Sequence, residues 1–181
     1  MASWAKVARR IRVPLGFAFA VLYVWLAHPV ARSLLLGAVF VAMGLALRAL
    51  ASGHVQKNEQ LTMTGPYAYT RNPLYLGSLI LAIGFVIAAR SIWIALILVV
   101  LFLAIYLPVI RAEEKYLAQR FPEFASYAGR VPRLLPRMRL SGDSGGKFSW
   151  GLYWKHREYN ATLGSVAILA TLIAKLVGVF R

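Results

Sequence analysis

The chain has 181 residues, 60% of them apolar, a formal charge of +15 and a mean hydropathy of +0.63. That length allows one domain or a small bundle of membrane helices, and the apolar fraction exceeds the ~45–50% of soluble domains. With no cysteine there is no disulfide framework, thiolate metal site or cysteine nucleophile, and His28, His54 and His156 lack the spacing of a metal site, so no metal is expected.

The first element is predicted over 13–27. The preceding basic residues make MASWAKVARRIRVPLGFAFAVLYVWLA similar to a signal peptide, but AHPVA is a poor cleavage site, so a retained span is expected. A span needs ~20 mostly apolar residues, and four more stretches come near that: 33–50, 74–89, 91–110 and 161–180. Only Ala89, Arg90 and Ser91 separate the third and fourth, which predicts a tight antiparallel hairpin. Ala38, Ala42 and Ala46, and Gly16 and Ala20, are spaced four apart, which predicts close helix packing.

With the N-terminus in the cytoplasm, every Lys and Arg except Arg32, Arg90, Arg181 and Lys175 falls on the inner side. Topology therefore explains the charge without nucleic acid. The cluster at 130–139 is expected to hold anionic headgroups as well. Trp4, Trp25, Trp93, Trp150 and Trp154 fall near span ends, as interfacial anchors do. Residues 111–136 read as a polar cytoplasmic segment, 141–147 as a flexible linker, and 148–160 as an interfacial helix.

Residues 65–77, GPYAYTRNPLYLG, break this pattern. Gly65-Pro66 predicts a turn. Pro73 suits the first helical residue of the third span, with Asn72 as its N-cap. The N–H groups of that helix end suit a carboxylate or phosphate, and Arg71 beside it suits a carboxylate. Tyr67, Tyr69 and Tyr75 add flat faces and hydroxyls, and Gly77 permits close approach. An ordinary interfacial cap, with Arg71 snorkelling, is the plainer alternative. A second cluster, Arg111, Glu113 and Glu114, follows the fourth span on the same side. The two acids point ~100° apart on a helix, so one can face inward. They fit either a solvated helix start paired with Arg111 or Lys115, or a site binding a cation or ribose hydroxyls. Arg71 and Glu113 or Glu114 are expected within ligand-bridging distance, a pairing suited to a zwitterion.

Residues 54–77, HVQKNEQLTMTGPYAYTRNPLYLG, and 111–136, RAEEKYLAQRFPEFASYAGRVPRLLP, resemble the isoprenylcysteine carboxyl methyltransferase family, which is related to membrane phospholipid methyltransferases. The likeness covers roughly residues 44–136. It implies S-adenosylmethionine bound from the cytoplasm and a lipophilic acceptor reaching the site from the bilayer. By this resemblance His54, Tyr69, Arg71, Asn72, Pro73, Tyr75, Gly77 and Glu114 line the cofactor site. Glu113 completes it and, with Arg111, Arg133 and Tyr127, forms the catalytic and acceptor-binding set. Where many members carry His, this chain has Asn72, which cannot titrate near neutral pH.

The expectation is an all-α integral membrane protein of about five transmembrane helices with a cytoplasmic cofactor pocket, in a prokaryotic inner membrane. Its divisions would be an N-terminal helix pair (1–53), a methyltransferase core (54–140), and a linker, interfacial helix and last span (141–181). The leading acceptor is a carboxylate such as that of an isoprenylated cysteine, which is already a nucleophile. A phospholipid amine or a thiol is the alternative, and an amine must first lose a proton, which a Glu could take. A sterol-type nicotinamide-dependent reductase and a non-catalytic membrane scaffold are the rival classes.

Overall fold

The computed structural model describes residues 4–56, 59–137 and 146–179, and among these the chain is all-helical. The expected linker at 141–147 lies largely outside the described residues, as do Lys57, Arg139 and Arg181 of the charge sorting. The long elements are α1 (Trp4–Leu26), α2 (Ala31–Ser52), α3 (Pro73–Ala89), α4 (Ile92–Leu101) and α5 (Leu107–Arg120). Two short helices, α6 (Phe124–Arg130) and α7 (Trp150–Lys155), precede the last, α8 (Tyr159–Leu176).

Among the described residues, three helices are long and apolar enough to cross a membrane: α2, the continuous rod Ile92–Arg120, and α8. Two shorter apolar helices, Pro14–Leu26 within α1 and α3, stand beside them. Their outward faces expose Leu35, Val39, Met43, Val99, Val100 and Leu103, surface that a bilayer would cover. All five tryptophans are exposed as well.

The closest helix pair is α2 with α3, built on glycine. A Cβ on Gly44 would lie 2.7 Å from Gly77 O, and one on Gly84 would lie 2.7 Å from Gly37 O, so the two backbones nearly touch. The alanine stripe does not make this contact: Ala42 and Ala46 are exposed, and Gly16 has open space around it. Glycine wins because removing Cβ from both faces lets the helices approach further than alanine allows.

Each turn of the bundle has its own fastener. His28 N donates to Ala89 O at 2.8 Å, and Ser33 Oγ to Ala88 O at 3.2 Å, tying the α1–α2 turn to the end of α3. The α3–α4 hairpin turns on Arg90, which caps α3 in the left-handed conformation at φ 53°. Lys175 Nζ in α8 donates to Val24 O at 2.7 Å. That places a cation on the last carbonyls of α1, where the helix dipole favours it.

Residues 102–106, between α4 and α5, form a π-helical turn closed by Leu107 N donating to Phe102 O. Proline explains its position: Pro108 has no N–H for Ala104 O, and Trp4 Nε1 donates to that carbonyl instead, at 2.9 Å. The helix resumes as α5, so Glu113 and Glu114 extend from a rod rather than starting a new helix.

Candidate functional site

Between α2, α3, α5, α6 and the C-terminal segment lies a cavity of about 870 Å³. Its first part centres on the start of α3. Gly65, at φ +57°, turns the chain, and a Cβ there would strike the ring of His54, so this position needs glycine on two grounds. The following 3₁₀ turn at Gly65–Ala68 buries Tyr67. Arg71 N then donates to Pro132 O at 2.9 Å, and Thr70 Oγ1 to Leu134 O at 3.0 Å, which fastens this loop to the chain after α6.

Asn72 occupies the N-cap position, but its side chain makes no cap bond. Nδ2 instead donates to Glu114 Oε1 and to Arg133 O, both at 3.0 Å. Arg133 Nε donates to Glu114 Oε2 at 2.8 Å, and Arg71 Nε lies 3.3 Å from Glu114 Oε1. The expected proximity of Arg71 to the acidic pair is thus a direct ion pair. Glu114 is buried and engaged through both oxygens. Glu113 lines the cavity and makes no hydrogen bond or ion pair among the described residues. Arg71 Nε is buried and, despite its nearness to Glu114, has no hydrogen-bond partner among them. Its guanidinium carbon sits 5.9 Å from the centre of the Phe124 ring.

Tyr127 OH donates to Tyr67 O at 2.8 Å, joining α6 to the loop. Burial raises the pKa of both tyrosines far above the usual phenol range. For Tyr127 the Arg71 cation offsets part of this; for Tyr67 the Tyr127 hydroxyl, once ionised, and the Glu113 carboxylate add to it. Both stay neutral donors at physiological pH.

The second part of the cavity is polar for a different reason. Arg48 Nε pairs with Glu158 Oε1 at 2.5 Å, and Arg48 Nη1 donates to Ser78 Oγ at 2.5 Å. His156 Nδ1 lies 3.1 Å from Ser52 O, the last residue of α2. The C-terminal segment is held there by Ser149 N donating to Gly53 O at 2.9 Å and by Phe148 packed on Gly53.

Of the residues anticipated from sequence, Arg71, Asn72, Tyr75, Glu113, Glu114 and Tyr127 converge on this cavity. His54 lines a separate, smaller hollow, its ring held between Leu50 O and Gly146 O. Tyr69 is exposed, and its carbonyl accepts from Arg137 N. Pro73 is fully buried, and Gly77 packs against Arg48 and Gly44 of α2. Arg111 is exposed and away from the cavity, while Arg133 reaches it only through Glu114. Sequence reasoning missed Arg48, Ser78, Tyr106, His156 and Glu158. Arg48 did carry a signal, as the one charge inside the 33–50 apolar run.

Among the described residues no three His, Cys, Asp or Glu gather as a metal site. Over 85 residues the chain is 40% identical to the cobalt-zinc-cadmium resistance protein CzcN of Cupriavidus metallidurans and to the nickel-cobalt-cadmium resistance protein NccN of Alcaligenes xylosoxydans xylosoxydans. The match covers 47% of this chain and 39% and 40% of those relatives, so it spans about two fifths of their length. No solved structure matches. The profile of the phospholipid methyltransferase family matches residues 12–123, and with well over half its length inside that match the chain belongs to this family.

Proposed function

We propose that this protein is an integral membrane enzyme that transfers a methyl group from S-adenosylmethionine to a lipophilic acceptor. The observation that carries this reading is the Arg71–Glu114–Asn72 cluster beside Glu113 on one cavity. The residues fit the donor. Arg71, buried with an unsatisfied Nε, suits its carboxylate. Glu113 suits its ammonium or ribose hydroxyls, and Tyr67, Tyr75 and Phe124 offer flat faces for an adenine. When bound, the donor supplies an electrophilic methyl on a sulfonium sulfur. The protein's part is alignment, which can be worth ~7–11 kcal/mol of barrier, and a cavity that limits water.

The side chains also bear on the acceptor. Arg71, whose Nε is unbonded, goes to the donor, so holding a second carboxylate beside the methyl group calls for another cation with an unbonded N–H on the cavity. Arg111 is exposed, Arg133 is paired with Glu114, and Arg48 is paired with Glu158. This favours an acceptor other than a carboxylate, such as an amine or thiol carried on a lipid. The lipid-facing surface of the helices and the family's lipid chemistry support entry from the bilayer. An inner-membrane location with the cavity toward the cytoplasm follows the charge asymmetry.

The test is thermal unfolding of the detergent-purified chain with S-adenosylmethionine, its demethylated product, or a reduced nicotinamide in separate samples. A ligand at a hundred times its dissociation constant adds ~2.7 kcal/mol. The expected result is a shift with the first two, lost in Arg71→Ala. A shift with the nicotinamide alone would favour the reductase class instead.

A further inference from the structure

The C-terminal segment lies outside the family match, yet it supplies two residues to the cavity, His156 and Glu158. We propose that His156, through Nε2, accepts the proton that the acceptor nucleophile loses during methyl transfer. This rests on the methyltransferase reading and names a catalytic residue for it.

The tautomer follows from geometry. Nδ1 is 3.1 Å from Ser52 O. A carbonyl oxygen only accepts, so the ring proton sits on Nδ1, and in the neutral imidazole Nε2 carries a lone pair. Ser52 is almost fully buried at the end of α2, so the anchor is rigid. The segment is fastened on both sides of His156, by Ser149 to Gly53 and by Glu158 to Arg48. Nε2 has no partner among the described residues, and His156 borders the cavity.

The other bases of the cavity are committed. Glu114 is saturated by Asn72, Arg133 and Arg71, and Glu158 is paired with Arg48. Tyr127 donates its proton to Tyr67 O. Glu113 remains, and it is the carboxylate suited to the donor. The charges around His156 largely cancel: Arg48 pairs with Glu158 and Lys155 with Glu59, while Arg157 is exposed. Glu113, Arg71 and Glu114 line the same cavity.

The step balances. The nucleophile's bond to hydrogen breaks and the proton goes to Nε2. The electron pair left on the nucleophile forms the bond to the methyl carbon. The bond from that carbon to sulfur breaks with its pair going to sulfur, leaving a neutral thioether. The imidazolium then returns its proton to water.

The experiment uses the full-length purified chain, His156→Asn, and dodecylamine and dodecanoate as acceptor probes. Asparagine keeps a donor for Ser52 O but offers no base, so melting temperature and the shift given by the methyl donor should stay as in the parent. Methylation of dodecylamine should fall ~100-fold or more, and its rate should keep rising with pH instead of levelling off. A second readout does not need turnover. Nitrogen NMR of histidine-labelled protein should show the Nδ1–H tautomer at His156 and a change at Nε2 when dodecylamine is added. Equal amine rates in parent and variant would overturn the proposal, as would an Nε2–H tautomer or no response to the amine. If the methyl donor fails to bind the parent chain, the methyltransferase reading falls first, and the NMR response then decides whether His156 meets an amine at all. Methylation of dodecanoate alone, unaffected by His156→Asn, would also overturn it.

Discussion

Asn72 turns away from the helix it precedes: its Nδ2 donates to Glu114 Oε1 at 3.0 Å, forty-two residues along the chain, and leaves the start of α3 without a side-chain cap. This bond joins the loop to the rod that ends the fourth apolar run. Asn72→Ala should therefore destabilise through a lost buried hydrogen bond rather than a lost cap, by about 1–3 kcal/mol. Asn72→Asp should cost more, because a second carboxylate would face Glu114 at hydrogen-bond distance. Chemical unfolding in detergent separates the two. Equal losses would mean that the side chain acts only at the helix start.

The two neighbouring acids should separate in their effects. Glu114 neutralises Arg71 and Arg133 within the fold, so Glu114→Gln leaves partly buried cations short of a partner, at a cost of about 3–5 kcal/mol. Glu113 has no such partners among the described residues. Glu113→Gln should leave the melting temperature near that of the parent and weaken the methyl donor about tenfold or more. Calorimetric titration of the donor into each variant checks this. A large stability loss in Glu113→Gln would assign it a structural role instead.

Gly44 gives the helix pair its spacing. A Cβ there would lie 2.7 Å from Gly77 O and 2.7 Å from Leu81 N, both backbone atoms that cannot swing aside. Gly44→Ala should therefore cost about 1–3 kcal/mol. It should also disturb the cavity, because Ser78 and Arg48 lie on the same two helices. Gly16→Ala, in open space, should be neutral or slightly stabilising. Melting of the two variants side by side is sufficient.

The apolar runs were legible because a helix in lipid has to be apolar over its length, and α2, α3, the α4–α5 rod and α8 all fall on stretches readable by eye. The contact faces were less legible. Alanines four apart read as packing, and only the crossing of α2 over α3 shows that Gly37, Gly44, Gly77 and Gly84 make the contact. The site was half legible. Arg71, Asn72 and the acidic pair announce themselves as polar residues at apolar boundaries. His156 and Glu158 do not, because the approach of the C-terminal segment depends on Ser149, Phe148 and Gly53 meeting across roughly a hundred residues. The departure of Asn72 from capping was also hidden, since sequence shows the cap position but not the stronger acceptor waiting in Glu114.

Tyr67 and Tyr127 predict how the fold fails in base. Unfolded tyrosines ionise near pH ~10. In the fold, burial holds both protons to higher pH, for Tyr67 with the help of nearby negative charge. Above that pH the unfolded chain binds fewer protons than the native one, so stability falls as pH rises. The contribution is fully present below the unfolded value and is lost progressively above it. Each tyrosine should add about 1.4 kcal/mol of loss per pH unit over that range. Tyr127→Phe keeps the ring against Phe124 but removes one ionising group and the bond to Tyr67 O. Its stability should start lower than the parent's near neutrality and fall less steeply in base. Melting curves across the alkaline range, read together with tyrosinate absorbance, check this. Parallel slopes for parent and variant would show that Tyr127 ionises in the native state as freely as in the unfolded chain.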